Sequence, residues 1–317
     1  MQNYNFIQRK LHDLLLSNNF FKKSFFEIEK LIFLKNFNLI KEQKHIFITG
    51  LPRSSTTALL YFLYSTNRFT SLTYRNMPFI MSPNISNLLQ KKFNIKKKER
   101  LHKDGITFDL DSPEAFDEVF FSTYNDDEIK EELTNYINLV LLNKNNKKYL
   151  SKNNSIYKRI NLIQSILPYS TFLILLREPL QQANSLLTKH LHFSKLQKEN
   201  DFIKRYMKYL GHNEFGLNHI SWNKPEKFTN YNDINYWLEQ WLKFYKNIYE
   251  KYKINNNCLF IKIEKFQNQE TIENLLNKLN LNTKKKFQFK INKKNITEKY
   301  DTNLYNSAIN LYNRINF

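Results

Sequence analysis

The segment Gly50-Leu51-Pro52-Arg53-Ser54-Ser55-Thr56-Thr57 constrains the fold of this chain more than any other. The apolar run His45-Ile46-Phe47-Ile48-Thr49 stands before it, and Ala58-Leu59-Leu60-Tyr61-Phe62-Leu63 follows with a helical pattern. Strand, tight turn, helix is the unit implied. At such a junction the first free N–H groups of the helix and its dipole point at an incoming anion, so the loop is a candidate phosphate cradle. Gly50 permits the sharp turn out of the strand, while the hydroxyls of Ser54, Ser55, Thr56 and Thr57 and the guanidinium of Arg53 supply further donors.

The nearest general pattern is the nucleotide-binding loop G-x-x-x-x-G-K-[ST]. Laid on it from Gly50, this chain has Ser55 in place of the second Gly and Thr56 in place of the Lys. Without the Lys that reaches the terminal phosphates, a kinase-like or nucleotide-hydrolysing protein is the weaker alternative.

Two more short apolar runs precede helical patterns. Thr171 to Leu176 is closed by Arg177-Glu178-Pro179 and leads into a helix through Ser185, Leu186 and Leu187; Leu259-Phe260-Ile261-Lys262-Ile263 leads into Ile272, Leu275, Leu276 and Leu279. Short strands alternating with helices predict an α/β fold, with a central, mostly parallel sheet flanked by helices in three layers. Residues 6 to 40 predict two helices broken around Ser17 to Asn19, and Ile156 to Ile166 predicts another. No Gly/Ser or Pro linker divides the chain, so a single domain over 1–317 is expected: an N-terminal helical segment (1–44), a core around the candidate phosphate loop (45–195) and a helical C-terminal part with a further strand (196–317). The Lys-rich stretch from Lys284 to Lys294 reads as an exposed loop.

The loop resembles the 5′-phosphosulfate loop of sulfotransferases that use 3′-phosphoadenosine 5′-phosphosulfate (PAPS), where Pro, a Lys or Arg, and Ser-Gly-Thr-Thr are typical. Ser55 departs from that Gly. In the same family an Arg ends a later strand and a Ser follows eight residues on, to hold the 3′-phosphate; Arg177 and Ser185 match that order and spacing. Further stretches look like a bacterial-type branch: Ser71 to Phe79, His102-Lys103-Asp104-Gly105 leading into Asp111 to Phe116, and Leu150 to Asn154. The resemblance covers residues 45 to 195 well and the strand and helix from Leu259 to Leu281 more loosely. It implies a phosphate-loop-containing sulfotransferase-like fold, PAPS as cosubstrate and no metal. The reaction would be in-line transfer of the sulfuryl group to a hydroxyl or amine. The family's Gly-rich, Lys-bearing C-terminal segment is not recognisable here; Lys293, Lys294 or Lys299 are the substitutes on offer.

Within that resemblance Arg53 would stabilise the leaving phosphate and Lys152 would reach the transferring group. The small-molecule branch places its His base two residues after that Lys, but here Asn154 occupies the position and accepts no proton at neutral pH. Carbohydrate and peptide sulfotransferases use a Glu, so His102 and Glu114 rank together as candidate bases, with Glu118 and Asp104 in the same segment and His190 and His192 behind them.

Composition bounds the rest. The formal net charge of +20 is mostly Lys scattered through Asn- and Ile-rich stretches, a broad bias more than a recognition stripe. It leaves a basic nucleic-acid-binding protein as an alternative of another class, and peripheral contact with an anionic membrane as an expectation, while no specific nucleic-acid partner is predicted. The single cysteine, Cys258, excludes an intramolecular disulfide and a Cys-based metal cluster. With no signal-peptide pattern and no run near the ~18 to 20 apolar residues of a membrane span, a cytoplasmic location is expected. The acceptor class stays open among small molecules, carbohydrates and lipids, with Tyr74, Phe79, Phe120, Phe121, Trp222 and Trp237 as rings able to line a cleft.

Overall fold

The computed structural model describes residues 4–35, 44–89, 98–99, 107–142, 144, 147–283, 285 and 293–315. In chain order the elements are helices α1 (Phe6–Ser17) and α2 (Asn19–Phe33), strand β1 (Ile46–Thr49), α3 (Thr56–Ser65), β2 (Phe69–Thr70), α4 (Pro83–Leu89), β3 (Lys98–Glu99), β4 (Thr107–Phe108), α5 (Glu118–Thr123), α6 (Asp126–Leu141) and β5 (Lys148–Lys152). Then come α7 (Ile160–Ile166), β6 (Thr171–Leu176), α8 (Pro179–Glu199), α9 (Asp201–Tyr209), α10 (Ile234–Tyr252), β7 (Cys258–Lys262), α11 (Gln269–Lys278) and α12 (Thr302–Arg314).

Five strands form one sheet in the order β2-β5-β1-β6-β7, and every pairing in it is parallel. Its period-2 pattern sorts the core into two layers. Phe47, Phe172, Ile174 and Leu176 face a large apolar cluster built with α5 to α10 and α12, whereas Ile46, Ile48, Leu150, Leu173 and Leu175 face a smaller one built with α3 and α11. Strands buried on both faces need this continuous apolar sequence, which is why β1, β6 and β7 stand out in the chain. The expected three-layer α/β architecture with a parallel sheet is the one observed.

Elsewhere local sequence explains local structure. Asn5 and Asn18 cap α1 and α2, and Asn18 sits where the pattern breaks. The predicted helix over Ile156 to Ile166 is interrupted: a 3₁₀ turn at Ile156–Lys158 is followed by α7. Phe120, Phe121 and Trp237 are fully buried, with Phe120 stacked on Tyr136 at a centroid separation of 4.3 Å, so these rings are core and line no acceptor cleft. Tyr74 and Trp222 are partly buried at its margin. Most of the Lys284 to Lys294 stretch lies outside the described residues. Among the described residues, no helix is long and apolar enough to cross a membrane.

Candidate active site

All five strands run the same way, so the loops leaving their C-terminal ends gather along one edge of the sheet. The Gly50–Thr57 loop leaves the central strand β1 at that edge. Gly50 has φ +133°, and a Cβ added there would lie 2.3 Å from the Leu175 carbonyl oxygen of the neighbouring strand, so only glycine fits. Arg53 and Ser55 also have positive φ, 69° and 62°. Ser55 is in the left-handed region, which explains why glycine suits this position better. Its side chain makes no cap to α3. Ser54 turns inward instead, donating its hydroxyl to Leu51 O at 2.7 Å.

Buried side chains from α8 and α10 hold the loop from below. Tyr245 Oη accepts from Leu51 N at 3.2 Å and donates to Leu175 O at 2.7 Å. Gln182 Nε2 donates to Leu51 O at 3.2 Å and Pro52 O at 2.9 Å. Its Oε1 accepts from Arg177 N at 3.2 Å and Trp241 Nε1 at 3.0 Å. One fully buried amide thus ties the loop to the end of β6, and each of its hydrogen bonds counts for more in this dry setting than at the surface.

Ser185 meets the loop directly, while Arg177 follows the neighbouring strand β6. Arg53 Nε donates to Ser185 Oγ at 3.0 Å, across 132 residues of sequence. Burial pushes the Arg177 guanidinium down from its ordinary pKa, opposed by the nearby carboxylates of Glu264 and Glu178. A cation held partly out of water gains stability when a dianion arrives. Glu264 is itself fixed, accepting from Glu178 N at 2.9 Å and from the Tyr312 hydroxyl at 2.6 Å. The loop from Gly50 to Thr57 thus touches α8 through Arg53 and Ser185, and Gln182 ties it to the backbone of Arg177.

Lys152 ends β5 beside Ile48 and is buried. Next to it Asn153 N donates to Ile48 O at 2.9 Å and Thr49 Oγ1 donates to Asn154 O at 3.4 Å, so the 152–154 segment adjoins the start of the loop. Glu114 is buried, with Oε2 accepting from the Tyr74 hydroxyl at 2.8 Å and Oε1 from Ala115 N at 2.9 Å. Glu118 accepts from Asn153 Nδ2 at 2.7 Å and pairs with Arg159 at 3.2 Å. His102 and Asp104 lie outside the described residues. Among the described residues no group of three or more His, Cys, Asp or Glu side chains is placed to hold a metal ion.

Sequence reasoning missed three residues here. Gln182 could have been found, since it lies one helical turn before Ser185 on the same face. His212 and Glu214, which meet Asn154 in space, carry no motif of their own.

Comparison with known proteins fits this geometry. Residues 45–228, more than half of the chain, match the sulfotransferase family. The chain belongs to that family. The structure is similar to sulfotransferase STF1 from Mycobacterium tuberculosis H37Rv, with a TM-score of 0.51 at 12% identity, covering 88% of this chain and 78% of that one. It is also similar to sulfotransferase STF9 from Mycobacterium avium, with a TM-score of 0.49 at 11% identity, covering 88% and 74%. At 12% identity the likeness to STF1 speaks to the fold alone. No curated protein sequence matches the chain significantly.

Proposed function

We propose that this family member moves the sulfuryl group of PAPS to an acceptor hydroxyl by in-line displacement. The observation that carries the reading is the contact between Arg53 and Ser185. It supports the reading because it joins the β1–α3 loop to α8, and in this reading the two would serve one ligand with two separate phosphates. The loop N–H groups with Thr56 and Thr57 would hold the 5′-phosphate, and Arg177 with Ser185 the 3′-phosphate. Arg53 would neutralise charge growing on the leaving phosphate, and Lys152 would reach the transferring group from the next strand. Such chemistry depends on positioning and electrostatic stabilisation, which a loop fixed by buried hydrogen bonds supplies. The acceptor belongs among small molecules, carbohydrates and lipids bearing a hydroxyl.

Calorimetry with 3′,5′-adenosine bisphosphate and with ADP tests the donor. The bisphosphate should bind at least about tenfold more tightly, one phosphate contact being enough for that ratio. Arg177→Ala should abolish the difference. Equal or weaker affinity for the bisphosphate overturns the reading. Strongly salt-dependent duplex binding that survives Arg177→Ala would favour a nucleic-acid-binding protein instead.

A further inference from the structure

Sulfuryl transfer to a hydroxyl requires a group that takes the hydroxyl proton, and position 154 offers only an amide. The structure gives that amide a partner. Asn154 Nδ2 donates to Glu214 Oε1 at 3.1 Å, and Glu214 Oε2 lies 3.5 Å from His212 Nδ1. Both residues come from the turn after α9, which folds onto the end of β5. There they share a recess with Ala115, Glu118, Lys152 and Asn153. The His212 side chain keeps 23% of its surface exposed.

The turn is built to hold this position. His212 N donates to Met207 O at 2.9 Å. Gly211 has φ +70°, and a Cβ there would lie 2.5 Å from Glu118 Cγ. Gly216 rests on the buried Gln197, whose Oε1 accepts from Leu217 N at 2.6 Å. Neither glycine tolerates a side chain, and both bring the backbone close to the elements below it.

We propose that His212 is the general base for the acceptor hydroxyl and that Glu214 is its positioning residue, a reading that rests on the donor assignment above. Glu214 holds the imidazole through Nδ1 and leaves Nε2 to receive the proton. As the acceptor oxygen forms its bond to sulfur, its proton passes to Nε2. The bond from sulfur to the bridging phosphate oxygen breaks with its electron pair, and adenosine 3′,5′-bisphosphate departs. The imidazolium then returns its proton to water.

Burial raises the Glu214 carboxyl, but His212, Asn154 and Lys152 outweigh it and hold it down at about 2. Lys152 and Glu118 are the other charged groups of the recess, and Glu118 is engaged by Arg159 and Asn153. Glu114, one residue outside the recess, already accepts on both oxygens. His190 is packed among the His219 and Trp237 rings at 5.5 and 5.4 Å, and its burial lowers it from the ordinary imidazole range.

The test uses labelled PAPS with phenol, p-nitrophenol and water as acceptors, and binding of 3′,5′-adenosine bisphosphate as an independent measurement. His212→Ala and His212→Asn should bind the bisphosphate as the wild type does. Turnover to phenol should fall roughly a hundredfold or more. The loss should be smaller for p-nitrophenol, whose more acidic hydroxyl needs less help. Glu214→Gln should retain bisphosphate affinity and lower kcat for phenol about tenfold or more while KM stays within about twofold, the split expected of a residue that orients the base. Phenol turnover within about threefold of wild type in either His212 variant overturns the assignment. So does wild-type protein that binds the bisphosphate yet transfers to none of the three acceptors. Failure of the wild type to bind the bisphosphate strikes the donor reading instead, so the two failures stay distinct.

Discussion

Arg53 Nε stands 3.0 Å from Ser185 Oγ, joining a cation on the β1–α3 loop to a hydroxyl on the second turn of α8. Neither group belongs to a regular backbone ladder, so ligand binding can redirect both at small cost. In Ser185→Ala, Arg53 loses this acceptor and the proposed 3′-phosphate site loses a donor. Hydrogen bonds to charged groups contribute about 1.5–3 kcal/mol, so bisphosphate affinity should fall roughly tenfold or more by calorimetry. A double-mutant cycle with Arg53→Ala should give a coupling energy on the order of 1 kcal/mol. Strictly additive losses would show that the two groups act separately.

Ser55 occupies the left-handed region at φ 62° and ψ 22°, with no cap hydrogen bond in compensation. An L-residue there costs about 1–2 kcal/mol, part of which glycine returns as unfolded-state entropy. Ser55→Gly should therefore raise unfolding stability by about 0.5–1 kcal/mol in urea titrations. Because the loop N–H groups keep their directions, bisphosphate affinity should stay within about twofold. A loss of stability would mean that the Ser55 hydroxyl has a structural role beyond the contacts described.

Asp117 is buried beneath β5, accepting from the Ser151 and Tyr149 hydroxyls, while its Oδ1 has no hydrogen-bond partner. Burial pushes its carboxyl up to about 6, with Glu118 adding to the rise and the two hydroxyls opposing it. The folded protein thus keeps a proton that the unfolded chain releases near pH 4. Stability from this group is fully present below about pH 4 and is lost as pH rises to about 6. Asp117→Asn keeps an acceptor for both hydroxyls and removes the ionisation. Between pH 4 and 6.5 its unfolding free energy should decline less than that of the wild type, by on the order of 2 kcal/mol. Parallel pH profiles in urea titrations would remove Asp117 as the cause.

The parts of the fold legible in sequence are those where one physical demand dominates. β1, β6 and β7 are buried on both faces, so they are short apolar runs, and the loop after β1 carries the residues an anion requires. β5 escaped notice although it lies between β2 and β1, because its sequence Lys148-Tyr149-Leu150-Ser151-Lys152 is half polar. The polarity has a reason: Ser151 serves Asp117, and Lys152 leads to the site. β2 has two residues and no pattern to detect. His212 and Glu214 were invisible because they meet Asn154 only through the path of the chain after α9, with Glu214 standing 60 residues from its amide partner. The spacing of Arg177 and Ser185, by contrast, is local to one strand end and one helix, where sequence distance fixes geometry.

Gln182 shows how the two halves of the site depend on one side chain. Its amide, itself fully buried, donates to Leu51 O and Pro52 O of the loop and accepts from Arg177 N and Trp241 Nε1. In Gln182→Leu the shape is nearly kept, but two carbonyls and two N–H groups lose this partner. Leu51 O keeps the Ser54 hydroxyl and Trp241 Nε1 keeps Arg177 O. A buried group left unsatisfied costs about 1–3 kcal/mol, so losing the other two contacts should lower unfolding stability by about 2 kcal/mol or more. Gln182→Glu should cost less, because a protonated carboxyl restores acceptor and donor, and its deficit should shrink as pH falls. Both variants should bind the bisphosphate more weakly than the wild type in calorimetry at a temperature where they remain folded, since the loop and the Arg177 backbone then move independently. Unchanged affinity in a destabilised but folded Gln182→Leu would mean that each phosphate site is fixed by its own strand, with Gln182 supporting stability alone.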